Sequence, residues 1–487
     1  MRLFLLNFIY LPTLVFLSAC TVGPDFIESA PPSVSDYAAE NDLKQFGEQY
    51  INEDKIISSH WWQEFSSPAL NEVIAYGLKN NLSLDSAKRT LAQSRELVNA
   101  AQGQLWPQAA MNAGAGRQKY GVALFGPADF TIPPFTYYEV GPSVSYLLDI
   151  FGGTRRTIEK QQAVADYQLQ ILNAAYLSLT GNIVNTALTI ATINAQIDTL
   201  KEIIIEDKEN LRLVQHAFDL GAATKGEVLS AQSQLTNDEA LLPDLYQQRK
   251  IAQNALNVLV SRTPTEWRPP YFELENFKLP EELPLTLPSE LVRTRPDILA
   301  AEAMLHAASA DVGIATANLY PSITLTGSLF QEALTPRELF NASSSAWSYF
   351  ANVSAPIFNG GTLRAQQQAA VHAYESAFSA YQQVVVNSFV QVNDVLHALK
   401  YDENAEELQK QAVLTAKKSL ELTRLSFKEG GANILELLNA KRFYMQSRFG
   451  YIKAQGQRYQ DTVQLYLVLG GRSHLPDTSM ESGLGKE

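Results

Sequence analysis

Six histidines and one cysteine are the groups in this chain with the most obvious capacity for metal or nucleophilic chemistry. Such chemistry needs its groups at set spacings. His60, His216, His306, His372, His397 and His474 are scattered, without the paired spacing on one helical turn that would clasp a metal. The sequence carries no nucleophile elbow, Walker loop or cysteine cluster. A lone histidine in a helical stretch is by default a surface or packing residue. No catalytic residue, metal ligand or bound cofactor is therefore assigned. Cys20 stands apart as a single thiol preceded by the small residues Ser18 and Ala19, and with one cysteine no intrachain disulfide can form.

The residues before that thiol explain its setting. Met1-Arg2 is a minimal positive start, and Leu3 to Leu17 is apolar except at Asn7, Pro12 and Thr13. This core is short for a membrane helix and fits a signal peptide over 1–19. Leu17-Ser18-Ala19-Cys20 resembles a bacterial lipobox, which implies a diacylglyceryl group and an N-acyl chain, such as palmitate, on Cys20. Ordinary cleavage after Ala19 with an incidental thiol is the alternative. Thr21, in place of an Asp, favours outer-membrane sorting. Residues 20–60 are polar and aperiodic and read as an extended leash.

Net charge −13 argues against a nucleic-acid partner, which would require a basic face. Beyond residue 17 no unbroken apolar run reaches the roughly 18 residues of a membrane helix. The expectation is a tethered soluble protein or one that crosses a membrane as strands.

The elements come in two copies. Residues 82–109 end in Leu105-Trp106-Pro107, and 296–323 end in Leu319-Tyr320-Pro321. Asp149-Ile150-Phe151-Gly152-Gly153-Thr154 matches Pro356-Ile357-Phe358-Asn359-Gly360-Gly361-Thr362 with one insertion. Phe218 to Thr224 matches Phe427 to Asn433. Matches in one order at nearly one offset mean a duplicated unit. Each copy reads helix, two strands, long helix, glycine turn, second long helix. The predicted organisation is a first repeat over 61–262, a Pro-rich belt over 263–293, a second repeat over 294–470 and a disordered tail over 471–487.

Leu169, Leu172, Tyr176, Leu179, Ile183, Thr186, Ile190, Ile193, Ile197, Leu200 and Ile204 recur at spacings of three and four, a heptad seam. Tyr374, Phe378, Tyr381, Val385, Ser388, Val392, Val395 and Leu399, then Leu408 to Leu425, repeat it. These predict helices over 153–217, 225–260, 361–428 and 434–469, with Pro243 kinking or breaking the second. Gly221, Gly430 and Gly431 suit turns that need positive φ or close backbone approach.

The pattern switches to period two in four segments, over 108–118, 137–149, 321–331 and 346–357. Each is about ten residues, the length a tilted strand needs to cross a bilayer. Aromatics crowd their far ends: Tyr120, Phe125, Phe130, Phe135, Tyr137 and Tyr138 in one copy, Phe330, Phe340, Trp347, Tyr349 and Phe350 in the other. Such belts favour a membrane interface, although a soluble hairpin would alternate in the same way. Four strands leave two open edges, which lipid does not tolerate. If they span a membrane, several chains must pool them.

Taken together, Trp61-Trp62 to Leu70, Arg295-Pro296-Asp297-Ile298 with Ala301-Glu302, Ala317 to Ser322, Pro356-Ile357-Phe358 with Gly360-Gly361, and Gly430 to Ala440 resemble the TolC-like outer membrane factors. Within that family the resemblance is to the NodT-type lipoprotein branch that serves resistance-nodulation-division (RND) efflux systems. It implies a mixed α and β membrane protein, internally duplicated. Three chains would form a trimeric 12-stranded outer-membrane β-barrel, four strands from each, continued by a long α-helical barrel in the periplasm of a Gram-negative cell. Implied partners are two further copies, a periplasmic adaptor (membrane fusion protein), an inner-membrane pump of RND type and outer-membrane lipid.

The resemblance also implies roles. Phe218, Gly221, Ala222, Phe427, Gly430 and Gly431 would meet the adaptor. Leu435, Glu436 and Asn439 match the family's constriction, with Glu227 the first-copy counterpart of Glu436. An apolar ring closes a pore and a carboxylate ring favours cations. Many relatives carry an acid where this chain has Asn439, and some an Arg where it has Ala432, so closure is expected to rest on Leu435 and packing. The function implied is a passive exit duct of a tripartite efflux pump for drugs or other small molecules. Alternatives are the same duct serving type I protein secretion or metal-ion efflux, and a periplasmic coiled-coil lipoprotein acting as a spacer.

Overall fold

A computed structural model describes residues 21–30, 36–37, 44–53, 55–119, 121 and 132–470. The expected signal peptide over 1–19, Cys20, the aromatics Tyr120, Phe125 and Phe130, and the tail over 471–487 lie outside the described residues. In chain order the elements are β1 (Gln45–Phe46), β2 (Gln49–Asn52), α1 (Pro68–Asn80), α2 (Leu82–Gly103), β3 (Gln108–Gln118), β4 (Phe135–Leu148), α3 (Gly153–Asp219) and α4 (Lys225–Leu259). There follow β5 (Glu282–Pro284), α5 (Pro288–Thr294), α6 (Pro296–Ala317), β6 (Ser322–Ala333), β7 (Ser345–Ser354), α7 (Thr362–Lys428) and α8 (Ile434–Leu469).

The chain divides into two compact units, and neither is a single sequence repeat. Of the described residues, one holds those of Thr90–Gln168 and Ala300–Tyr381 with 21–29, and the other holds those of Ala30–Arg89, Leu169–Leu299 and 382–470. The two copies are intermixed because each supplies half of a sheet and half of a helical core, and neither half buries its apolar face alone.

The first unit is built on a four-stranded antiparallel sheet ordered β3-β4-β6-β7. Tyr146 pairs with Leu325 and Leu325 with Ala351, so both copies contribute one hairpin and meet at β4 and β6. The ladder between these strands skips Gly141 and Pro142, where proline has no N–H to give. β7 stops at Ser354, short of the expected 357, because Pro356 also lacks a donor. Trp347 and Tyr349 point to one face and stack at 5.7 Å, and both are largely exposed. β3 and β7 are edges of the described sheet.

The second unit is helical. Leu172, Leu179, Ile183, Ile190, Ile193, Ile197, Leu200 and Ile204 of the expected seam are buried. The buried stripe broadens in mid-helix to include Val184, Ala187, Leu188 and Ala191, wider than a heptad seam. There the Pro-rich segment lies on α3, with the Asn194 side chain donating to the Phe272 carbonyl at 2.9 Å. In α7 the seam is less complete: Leu408, Leu422 and Leu425 are exposed. A short 3-10 turn seats Trp61, Trp62 and Phe65, and Trp61 stacks on Tyr466 at 5.2 Å. Arg295 is buried and donates to the Val468 carbonyl at 2.8 Å, to Asp297 at 2.8 Å and to Gln391.

Three expectations need correction. Pro243 does not break α4, which is helical throughout. Pro243 and Glu239, whose carbonyl loses its partner, are both exposed, so water can take the free acceptor. The leash over 20–60 is not wholly irregular: β1 and β2 form a hairpin, and β2 pairs in parallel with β5 of the belt. Finally, α6 is long and apolar enough to cross a membrane by length and composition. Its alanines raise its apolarity without an unbroken run of large residues, and more than half of that stretch is buried by packing.

Candidate gate at the helix turns

The two glycine turns are built alike. α3 ends with the Gly221 N–H on the Phe218 carbonyl (2.9 Å) and the Ala222 N–H on the Ala217 carbonyl (2.8 Å). α7 ends with the Gly430 N–H on the Phe427 carbonyl (3.1 Å) and the Gly431 N–H on the Ser426 carbonyl (2.8 Å). Both are Schellman closures, which satisfy carbonyls a helix end leaves orphaned and need a left-handed residue. Gly221 and Gly430 fill that place at φ 74° and 79°. Gly431 serves close approach instead, since a Cβ there would lie 2.9 Å from Ser426 Oγ.

The next helices start alike as well. Thr224 caps α4, its hydroxyl accepting from the Glu227 N–H (3.3 Å) while the Glu227 carboxylate accepts from the Thr224 N–H (2.6 Å). Asn433 caps α8, its amide oxygen accepting from the Glu436 N–H (3.0 Å), while Glu436 accepts from the Asn433 N–H (3.4 Å) and amide nitrogen (2.9 Å). These are capping boxes. The Thr224 backbone N–H and then its hydroxyl hold the Glu227 carboxyl below the usual carboxylate range. Each acid thus has a local structural task, and Thr-x-x-Glu and Asn-x-x-Glu ahead of apolar residues carried that signal in the sequence.

Leu435, Glu436 and Asn439 are exposed on one face of α8, with Leu435 at 55%. On the opposite face Ile434, Leu437, Leu438 and Ala440 are buried with Val214, Val228 and Leu420. Phe218 and Phe427 pack against that cluster, partly buried, and Lys225 Nζ lies 5.6 Å from the centre of the Phe218 ring. Gly221, Ala222, Gly430 and Gly431 are exposed. The structure thus separates the six tip residues into an aromatic pair turned to the core and four small residues open to the outside.

Sequence reasoning missed a buried charge cluster behind this core. Asp207, Asp238 and Lys441 are all buried, with Lys441 Nζ 3.5 Å from Asp207. Lys441 also donates to the Glu206 carbonyl (3.4 Å), and the Glu206 carboxylate pairs with Arg424 at 2.8 Å. Burial, then the neighbouring Asp238, pushes the Asp207 carboxyl up to about 7 against the pull of Lys441. A second acid pair joins α7 to α8, where burial and Asp461 push Asp402 up to about 8. Nothing in the one-dimensional pattern set these acids apart from a solvated helix face. Among the described residues no three His, Cys, Asp or Glu side chains gather as a metal site.

The profile of the family described as Outer membrane efflux protein matches residues 74–261 and 287–471, two stretches flanking the Pro-rich segment. Nodulation protein T of Rhizobium leguminosarum bv. viciae is 28% identical over 469 residues, 94% of this chain and 92% of that protein. The toluene efflux pump outer membrane protein TtgI of Pseudomonas putida is 28% identical over 465 residues, 94% and 96% of the two chains. Among solved structures, the outer-membrane channel OprN superposes with TM-score 0.84 at 25% identity, covering 93% of this chain and 99% of its own. The open state of the Neisseria gonorrhoeae MtrE outer membrane channel gives 0.82 at 26%, covering 93% and 99%. The chain belongs to the outer membrane efflux protein family: it is the outer-membrane channel component of an efflux system, with the mixed α and β fold of the trimeric efflux channels.

Proposed function

We propose that the protein is a passive duct through which drugs or other small molecules leave the cell, fed by an RND-type inner-membrane pump through a periplasmic adaptor. The single observation that carries this reading is the four-stranded sheet with two open edges. Lipid offers no partner to unpaired backbone groups. The strand order alternates direction, so β7 of one copy meets β3 of the next antiparallel, and three copies close a twelve-stranded cylinder. Toluene export by the TtgI system supports a small-molecule client.

In this reading Cys20 carries a diacylglyceryl group and an N-acyl chain. Gly221, Ala222, Gly430 and Gly431 offer a small-residue surface that an adaptor can approach closely, with Phe218 and Phe427 stiffening it from within. Leu435 forms the apolar constriction, Glu436 the main carboxylate ring beside Asn439, and Glu227 a second acid in the same motif. The driving free energy comes from the pump, and the duct does no chemistry.

The experiment is single-channel recording of the purified protein in planar bilayers. Cation-preferring conductance that loses its preference in Glu436→Gln is the expected outcome. Unchanged preference would remove Glu436 from the selectivity role, and absence of any conducting state would remove the duct.

A further inference from the structure

The duplication leaves one contact made and its counterpart bare. Inside the first unit, β4 of the first copy pairs with β6 of the second, down to Leu148 on Ile323. Just below that last pair, the turn after β4 meets the turn before β6. Phe151 stacks there on Tyr320, with ring centroids 4.7 Å apart and planes 21° from parallel. A Cβ on Gly153 would lie 3.2 Å from Ala317 Cβ, so the ends of α3 and α6 run close together. Further along the same two helices, Lys160 pairs with Asp311 at 2.9 Å.

The same parts stand at the two edges of the described sheet. The turn after β7 carries Phe358 in the place of Phe151, and the turn before β3 carries Trp106 in the place of Tyr320. Gly361 matches Gly153, and Gly103 matches Ala317. Ile357, Phe358 and Trp106 are 97%, 91% and 71% exposed in the single chain. Among the described residues nothing lies within 4 Å of a Cβ built on Gly103 or Gly361. Leu97, the match of Asp311, and Gln368, the match of Lys160, are exposed as well. Large apolar groups held this far into water are stabilised by cover. β7 on β3 of the next copy is antiparallel, as β4 on β6 is, so the pairing that closes the barrel brings these turns together in the same order.

We propose that Phe358 of one copy stacks on Trp106 of the next, with Gly361 packed against Gly103, so that each seam between chains repeats the contact made inside a chain. The occupant of the bare edge is a second copy of this chain. The proposal rests on the closed barrel of three copies, and goes beyond it by naming the residues that lock each seam at the foot of the sheet.

The test is a double-mutant cycle on trimer lifetime, read as the rate at which full-length trimers in mild detergent dissociate on heating. Trp106→Ala and Phe358→Ala each speed dissociation about tenfold, and the double variant is no faster than either single one, because the stack is lost once. Trp106→Phe recovers part of the lifetime. Far-UV circular dichroism stays that of the parent, since both side chains are exposed in the single chain. A second arm builds the internal ion pair into the seam. Leu97→Asp with Gln368→Lys gives longer-lived trimers at low salt than either change alone, and the gain vanishes in about 1 M salt. Additive losses, or unchanged lifetimes, in the alanine variants would overturn the stack in protein that still forms trimers. Absence of coupling between positions 97 and 368 would overturn the helix packing beside it. Parent protein found only as single chains would overturn the closed barrel itself.

Discussion

The two helix turns share one backbone design and differ in what they expose. Set Thr224 on Asn433, and Lys225 falls on Ile434, Gly226 on Leu435, Glu227 on Glu436, Leu229 on Leu438 and Ser230 on Asn439. Schellman closure and capping box are the same in both. In the second copy the first helical turn drives Ile434, Leu437 and Leu438 into the core and leaves Leu435 outside. In the first copy only Val228 is buried, Leu229 is exposed, and a glycine stands where Leu435 would be. Duplication supplied the frame, and divergence gave one copy the packed, apolar-tipped helix and the other the looser one. The constriction is therefore expected from the second copy alone.

The largest effect that would sharpen this contrast is on stability. Ile434→Ala should cost about 2–4 kcal/mol, as large-to-small changes in a core do. The counterpart Lys225→Ala should cost less than about 0.5 kcal/mol, as an exposed change does. Denaturant unfolding of both variants gives the comparison, and equal losses would break it. Next is conduction: Leu435→Ala should open the channel several-fold in planar bilayers, while Gly226→Ala leaves it unchanged. Similar conductance in the two variants would mean that the apolar ring lies elsewhere.

A smaller and symmetrical effect is expected at the caps. Thr224→Ala and Asn433→Ala should each lose about 1 kcal/mol, because the motif is common to both copies. A thermal melt in which only one variant shifts would show that the turns are not equivalent.

A further expected effect is a pH slope. Folded Asp207 keeps its proton up to about 7, whereas the unfolded chain gives it up near 4. Between these values the unfolded state binds fewer protons, so stability falls as pH rises across that window. Asp238, Lys441, Glu206 and Arg424 surround the group from four helices. Asp207→Asn should flatten the slope in urea midpoints taken between pH 4.5 and 7.5, and identical slopes would exclude Asp207 as its source.

Much of the fold was legible because it is periodic. Alternation in β6 marks it as a strand, the three-four spacing from Leu172 to Ile204 records which side of α3 is buried, and glycines mark where the chain turns. Register followed poorly at strand ends, where Pro356 and not hydrophobicity decides the last pair. What sequence reading missed depends on partners far away in the chain. β1 and β2 are too short to signal themselves and take shape against β5. Arg156 looks like any basic residue early in a helix until Val22 and Gly23 are seen to lie on it. At the candidate gate the exposed face of Leu435, Glu436 and Asn439 followed from spacing. The inward packing of Phe218 and Phe427 depends on a core that four helix ends build together.

The claim on which the account turns is that one chain contributes only a third of a closed barrel. A cysteine scan along β3 against β7, oxidised in outer membranes with Cys20 in its native state, measures this directly. The account predicts that some pairing yields a covalent ladder ending at three copies, in material that conducts ions. Pairings that all leave single chains, or a ladder that runs past three without closing, would contradict it.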